Sequence, residues 1–236
     1  MTSTTSGDAI QWVKTNKKII IQKFADISIY LPVQNPTTYF MAGSPGAGKT
    51  EYSKSFIKEL LEKEPRRKIV RIDADEVRDI LPQYNRTNAT EMGEASGLGV
   101  AKLFDYVHEK KQDALIDSTF TPYEVALRNI NRAVGKGRKI AIFYIYQDPI
   151  IAWDFTKKRE KLEGRPIPKS FFLQSFFEAK ENVNKIKVEF GKTIQLNLIK
   201  KKSDNLGVEK TFFNIDNVDS HLKIEYTTQS LEELLQ

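Results

Sequence analysis

Residues 43–50 read GSPGAGKT and match the phosphate-binding pattern GxxxxGK[ST] at every specified position. The loop follows an apolar run at 39–42 and precedes an amphipathic segment at 51–63, so we predict a strand before it and a helix after it. Glycine is needed there because backbone amides must approach phosphate oxygens closely, in conformations that side chains forbid. A chance glycine-rich turn is the alternative, but the helical pattern behind the loop argues against it. The chain is therefore constrained to a strand–loop–helix unit that binds phosphate.

The residues of this loop have distinct predicted roles. The Lys49 ammonium can span the two terminal phosphates of a nucleotide, and the Thr50 hydroxyl can bind Mg²⁺. The helix that begins there directs the positive end of its dipole at the anion. The predicted ATP-binding residues are Gly43, Ser44, Pro45, Gly46, Ala47, Gly48, Lys49 and Thr50.

Length and composition narrow the class of protein. A chain of 236 residues suits one α/β domain, here 1–236, with a helical extension at 1–34 and edge strands at 192–236. Zero cysteines exclude disulfides and thiolate metal sites, and two histidines argue against a histidine cluster, so any metal should have oxygen ligands. The net charge of +6 suits a polyanionic substrate and also an ordinary lysine-rich surface. No segment has the length of a membrane span or the layout of a secretory signal, so we expect a cytoplasmic protein that does not contact membranes.

Strand-like and helix-like segments alternate after the loop, which predicts right-handed crossovers and a mostly parallel central sheet flanked by helices. This is the pattern of a P-loop nucleotide-binding architecture, of which the P-loop kinase fold is one form. We predict one amphipathic helix over 8–24, and short antiparallel strands at the sheet edge over 212–226. The lysines at 200–202 are expected in a solvated turn, and the phenylalanines at 171, 172, 176 and 177 have a helical spacing typical of core.

The remaining motifs favour a kinase among P-loop proteins. The guanine-reading motif Asn-Lys-x-Asp of switch GTPases is absent. An AAA-type or motor ATPase would have Asp-Glu directly at the end of an apolar strand, whereas Asp73 and Ala74 separate Asp75-Glu76 from the strand at 68–72. A kinase instead needs a carboxylate beside the acceptor hydroxyl and cations around the transferred group.

Candidate catalytic residues follow from this requirement. Asp73 and Asp75 lie after a predicted strand, at the edge where open parallel sheets bind ligands. We predict that Asp75 is the general base, with helix capping by Asp73 or Asp75 as the alternative. Arg159 and Arg165 are the predicted pair that stabilises the transferred phosphoryl group, because guanidinium groups bind phosphate in a bidentate manner. Asp117, which ends the strand at 114–117, is a candidate for Mg²⁺, and Ser118 or Thr119 for substrate.

These motifs resemble, in order along the chain, the zeta-toxin family of P-loop kinases. The similar segments are NPTTYFMAGSPGAGKT, IDADEVR, LIDSTF, REKLEGRPIPK and the final strands, so the resemblance runs from about residue 35 to the tail. It implies that Asp75 is the catalytic base, that Thr119 contacts substrate and that Arg159 and Arg165 belong to a lid. It also implies phosphorylation of the 3'-hydroxyl of the amino sugar in UDP-N-acetylglucosamine, and inhibition by a small helical antitoxin.

Two positions depart from the family pattern. Asp117 stands where toxin members commonly carry glutamate, and Ala101 lies near where a sugar-contacting glutamate is expected, so Glu94 is the candidate substitute. A polynucleotide 5'-hydroxyl kinase is the second reading, because that related family shares the Asp-x-x-Arg spacing of Asp75 and Arg78, which makes Arg78 a substrate-binding candidate. Nucleic acid is the less favoured substrate. A third interpretation is a protein that binds ATP but does not catalyse phosphoryl transfer.

Overall fold

One sheet contains six strands in the computed structural model, which describes residues 4–163, 166–204 and 207–235. The spatial order is β2-β3-β1-β4-β5-β6. The strands are β1 (Thr37–Ala42), β2 (Ile69–Asp73), β3 (Asp113–Asp117), β4 (Lys139–Tyr146), β5 (Ile194–Lys201) and β6 (Val208–Phe212). The first five are parallel, and β6 pairs antiparallel with β5, so the predicted sheet and its antiparallel edge are confirmed.

Helices connect these strands. They are α1 (Thr4–Thr15), α2 (Lys17–Ala25), α3 (Lys49–Lys63), α4 (Ala74–Asp79), α5 (Gly93–Glu109), α6 (Tyr123–Val134), α7 (Pro149–Glu163), α8 (Lys169–Phe190) and α9 (Thr228–Leu234), with a 3-10 turn at Gly191–Thr193. None of the helices in the described part of the chain combines the length and hydropathy of a membrane span. Buried apolar residues lie on both faces of the sheet, as expected for central parallel strands.

The N-terminal segment forms two helices, so the prediction of a single helix over 8–24 was wrong. Asn16 separates α1 from α2, and its amide Nδ2 donates a hydrogen bond to the Trp12 carbonyl at 3.0 Å. Such a bond lets the side chain compete with the helical backbone pattern. Both helices still bury an apolar face, which includes Val13 and Ile20, and both contact α5.

The C-terminal segment also differs from the prediction. Among the described residues after β6, the chain forms turns and then α9 rather than further strands. Thr227 and Ser230 form a capping box at the start of α9, a local signal that defines the helix. Leu231 and Leu235 are buried in a cluster with Trp153 of α7 and Phe172 of α8.

The lysines at 200–202 do not all lie in a turn. Lys200 and Lys201 belong to β5, and Lys201 is buried with 8% of its surface exposed. Burial lowers the pKa of Lys201, whereas Glu51 and Asp204 raise it. The expectation of a solvated turn is therefore wrong for Lys201, because β5 continues two residues further than its apolar run.

His108 predicts a measurable acid sensitivity of the fold. Its imidazole is buried against Phe104, and Nε2 has no hydrogen-bond partner among the described residues. Burial, together with Arg138, Arg132 and Lys136, lowers the pKa of His108 to about 3. The unfolded state binds the proton more tightly between that value and the ordinary pKa, so His108 lowers the free energy of unfolding as pH falls in this window, by up to about 1.4 kcal/mol per pH unit.

Urea unfolding at pH 7, 6, 5 and 4 checks this expectation. The His108→Leu variant should lose less stability than the wild type over the same pH range, because leucine has a similar volume and does not titrate. Parallel stability curves for the two proteins would contradict the assignment.

Candidate active site

The phosphate-binding loop joins the end of β1 to the start of α3, as its sequence predicts. Gly43, Gly46 and Gly48 have positive φ angles of 136°, 73° and 86°. A Cβ atom at Gly43 would lie 2.4 Å from the Ile145 carbonyl oxygen, and one at Gly46 would lie 2.0 Å from the Ala152 carbonyl oxygen. The loop is therefore packed against neighbouring backbone, and only glycine fits at these positions.

Substitution of Gly46 should disrupt nucleotide binding. A methyl group at this position collides with backbone that cannot move aside, and it also strains a left-handed conformation. We expect the Gly46→Ala variant to bind ATP at least ~10-fold more weakly in calorimetric titration. The Gly97→Ala variant is the control, because Gly97 lies within α5 and a Cβ there meets no atom within 4 Å. Equal ATP affinity in both variants would contradict this view of the loop.

Lys49 folds back over the loop. Its Nζ atom donates hydrogen bonds to the carbonyl oxygens of Gly43 at 2.9 Å and Ser44 at 2.7 Å. Burial lowers the pKa of Lys49 to about 8; Asp117 raises it, and Arg159 lowers it further. An approaching triphosphate would offer stronger, charged acceptors to this ammonium and stabilise its protonated form.

Two acids meet at the ends of β2 and β3. Asp73 and Asp117 occupy facing positions in the register of these strands. Both accept hydrogen bonds from Nη2 of Arg71, at 2.5 Å for Asp73 and 2.6 Å for Asp117. Burial raises the pKa of Asp73, as does Asp117, while Arg71 lowers it. Ser53 of α3 donates to Asp117 at 3.1 Å, so this acid lies against the helix that follows the phosphate-binding loop.

Asp75 lies in the first turn of α4. Asp73 is the helix cap, because its carboxylate accepts the Asp75 backbone N–H at 2.8 Å. The capping alternative therefore applies to Asp73, and the Asp75 carboxylate instead pairs with Arg78 at 2.9 Å. Its side chain is 39% exposed, compared with 13% for Arg78, so solvent and a substrate can reach it. Arg78 also lies 5.9 Å from the centre of the Tyr84 ring.

Three other predicted site residues, Arg159, Thr119 and Glu94, lie within the described part of the chain. Arg159 is exposed on α7 and close enough to Lys49 to affect its pKa, whereas Arg165 lies outside the described residues. The Thr119 carbonyl accepts the Gly43 N–H at 3.2 Å, which ties the segment after β3 to the loop, and its hydroxyl is bonded to that of Thr121 at 2.6 Å. Glu94 is exposed in the first turn of α5.

Comparison with known proteins identifies the family. The family model described as zeta toxin matches residues 22–211, which is most of the chain. The chain belongs to the zeta-toxin family. As a member it is an ATP-dependent kinase, and both α1 and α9 lie outside the matched region. No curated protein matches the chain.

Solved structures share the zeta-toxin fold of this chain. A structure from the PezAT chromosomal toxin–antitoxin system of Streptococcus pneumoniae has a TM-score of 0.66 and 16% identity, and covers 96% of this chain and 86% of its own. The AvrRxo1-ORF1:AvrRxo1-ORF2 structure with ATP has a TM-score of 0.59 and 12% identity, over 89% and 65% of the two chains. The Pnkp1/Rnl/Hen1 RNA repair complex has a TM-score of 0.51 and 16% identity, over 66% and 47%.

The residues predicted to hold Mg²⁺ in this zeta-toxin family member fit a partial site. Thr50 is in the first turn of α3, and Asp117 faces the same helix through Ser53. No group of three or more acidic or histidine ligands occurs in the part of the chain that the structure describes. This donor set suits Mg²⁺, which commonly uses one or two protein oxygens and takes its other ligands from phosphates and water.

A groove of about 600 Å³ lies at the opposite end of the sheet. Its walls are the segment before β1, which includes Leu31 and Val33, and the segment before β2, which includes Pro65 and Arg67. These residues precede the strands, whereas ligands of open parallel sheets bind beyond the carboxyl ends. The groove is therefore separate from the zeta-toxin site.

Arg71 is the residue of this site that the sequence analysis missed. It contacts both strand-end acids, yet it lies within β2 between the buried residues Val70 and Ile72. A charged residue inside a short apolar strand that ends in acids is unusual, because buried arginine needs a partner. An arginine within a short apolar strand was therefore the sequence signal that could have identified this residue.

Proposed function

We propose that the protein transfers the γ-phosphoryl group of ATP to a hydroxyl of a nucleotide sugar such as UDP-N-acetylglucosamine. The observation that carries the proposal is the half-exposed Asp75 carboxylate, which is not used as the helix cap and lies at the same sheet edge as the phosphate-binding loop. Membership of the zeta-toxin family supports this acceptor class.

The proposed reaction assigns one step to each group. The Asp75 carboxylate takes the proton of the acceptor hydroxyl as its oxygen attacks the γ-phosphorus. The bond from that phosphorus to the bridging oxygen breaks, and ADP leaves with the electron pair. Lys49, Arg159 and Arg165 neutralise the charge on the migrating group, while Arg78, Glu94 and Thr119 bind the acceptor. Mg²⁺, held by Thr50 and Asp117, would supply further charge compensation on the phosphates.

Incubation of the pure protein with γ-labelled ATP and separate acceptor pools tests the proposal. The pools are nucleotide sugars, nucleosides and 5'-hydroxyl oligonucleotides, and the label is expected in UDP-N-acetylglucosamine. The Asp75→Asn variant is the matched control for label transfer. Label in nucleosides alone, or no label in any pool while ATP binds, would contradict the proposal, and the second result would indicate a non-catalytic ATP-binding protein.

A polynucleotide 5'-hydroxyl kinase is the second candidate. The ion pair between Asp75 and Arg78 has the spacing of that family, and the fold likeness to the RNA repair complex supports it. Phe172 and Phe176 are buried in the core, whereas Phe171 is 41% exposed, so the prediction of a core position is wrong for Phe171. One exposed ring does not provide the row of stacking positions that single-stranded nucleic acid uses. Label in the oligonucleotide pool would favour this candidate.

We also propose that the protein is a toxin held inactive by an antitoxin protein. The PezAT structure comes from a toxin–antitoxin system, and its likeness covers almost the whole of this chain. Expression of the wild type without a partner should therefore arrest bacterial growth, whereas the Lys49→Ala variant should permit it. Equal growth arrest by the two proteins would count against toxicity that depends on the kinase reaction.

A further inference from the structure

The guanidinium of Arg71 joins four elements of the fold. Its side chain is 10% exposed, and each of its nitrogen atoms has an acceptor. Nε donates to the Ser53 hydroxyl at 3.1 Å, Nη1 bonds Glu76, and Nη2 is shared between Asp73 and Asp117. These partners lie on α3, on α4 and at the ends of β2 and β3. One planar group therefore fixes the relative placement of all four elements.

The helix that carries Asp75 depends on these bonds. Helix α4 has six residues, which is too short for a helix to be stable by itself in water. It is held by the Asp73 cap, by the buried Val77 and by the bond from Arg71 to Glu76. Because Arg71 bonds both Asp73 and Glu76, it restrains the chain on either side of Asp75.

The same guanidinium reaches the phosphate side of the site. Ser53 lies one turn after Lys49 on α3, accepts a bond from Arg71 and donates to Asp117. Without Arg71, the facing carboxylates of Asp73 and Asp117 would repel each other across the strand pair in a partly buried setting. This repulsion would break the contacts that connect α4 to α3.

We propose that Arg71 is a positioning residue that sets the distance between Asp75 and the phosphate-binding loop. The inference rests on the proposed function, in which Asp75 is the base. Arg71 does not touch the substrate; it acts by holding α4 against the ends of β2 and β3.

Hydrogen exchange of the full-length protein without ligands tests the structural part. In the Arg71→Lys variant, which keeps the charge and loses the planar fork, amides of residues 74–80 should exchange about tenfold faster, and in Arg71→Met faster still. Amides of α9, whose buried residues cluster with residues of α7 and α8, should be unchanged in the lysine variant. Exchange of 74–80 at the wild-type rate in both variants would overturn the proposal. If Arg71→Met unfolds, the lysine variant still decides.

A double-mutant cycle tests the functional part, with the acceptor that the wild type labels. Arg71→Lys should lower kcat by a factor of about 10 to 100 with little change in the Kd for ATP. In the Asp75→Asn background the same substitution should cost less than about threefold, because the base that Arg71 positions is already lost. Equal factors in the two backgrounds would overturn the positioning role. Full turnover of Asp75→Asn alone would instead remove the base assignment, and the exchange experiment would still report on Arg71.

Discussion

Replacement of Asp75 by asparagine is expected to lower turnover by a factor of ~100 to 10,000, the usual worth of a general base. Asparagine has nearly the same shape as aspartate, but its amide cannot take up the proton of the substrate hydroxyl at neutral pH. The affinity for ATP should change little, because the proposed phosphate contacts come from the loop at 43–50. Initial rates with labelled ATP, together with a separate ATP titration, measure the two effects.

The Asp79→Asn variant is the control for this experiment. Asp79 lies on the same short helix and is exposed to solvent, so the change in charge is matched while the proposed chemistry is untouched. Its turnover should stay within about twofold of the wild type, as for most surface substitutions. If Asp75→Asn and Asp79→Asn behave alike, Asp75 is not the base.

Replacement of Lys49 by alanine is expected to reduce turnover by at least ~100 to 1000-fold, because it removes a cation that we propose compensates charge on the transferred phosphoryl group. ATP binding should weaken as well, because the variant lacks the ammonium group that would bind phosphate. In the structure this group donates hydrogen bonds to two carbonyl oxygens of the loop. Steady-state kinetics and calorimetry on the same preparation measure both quantities.

The Lys54→Ala variant controls for the loss of one positive charge on α3. Lys54 is exposed on the same helix, and it should retain wild-type kcat and ATP affinity. Turnover by Lys49→Ala at the level of Lys54→Ala would mean that the loop does not take part in phosphoryl transfer.

Much of the fold was predictable because its signals are local. The sequence of the phosphate-binding loop predicts its conformation, because glycines are required at positive φ and an amphipathic helix must follow. The run KIAIFYIY at 139–146 coincides with β4, because an apolar stretch rich in β-branched and aromatic residues suits a buried parallel strand. The placement of Asp73 and Asp117 at one edge follows from parallel strands that end together.

The parts that escaped prediction depend on contacts between distant segments. The role of Arg71 depends on contacts among β2, β3, α3 and α4 in the folded protein. The spacing of residues along the sequence does not predict these contacts. The break at Asn16 depends on a side-chain hydrogen bond that competes with the helical backbone pattern, and apolar periodicity does not show such a bond. Helix α9 is short and buries only a few side chains, so its apolar pattern was too brief to separate from a strand.

Helix α9 has a practical consequence for work on this enzyme. Lys169, at the start of α8, donates hydrogen bonds to the Glu232 and Leu235 carbonyls, while Leu231 belongs to the same buried cluster as Trp153 of α7. Helix α9 thus holds the start of α8 and shares one buried cluster with α7 and α8. A tag inserted beside α9 would disturb these contacts, so tags for kinetic studies are better placed away from this helix.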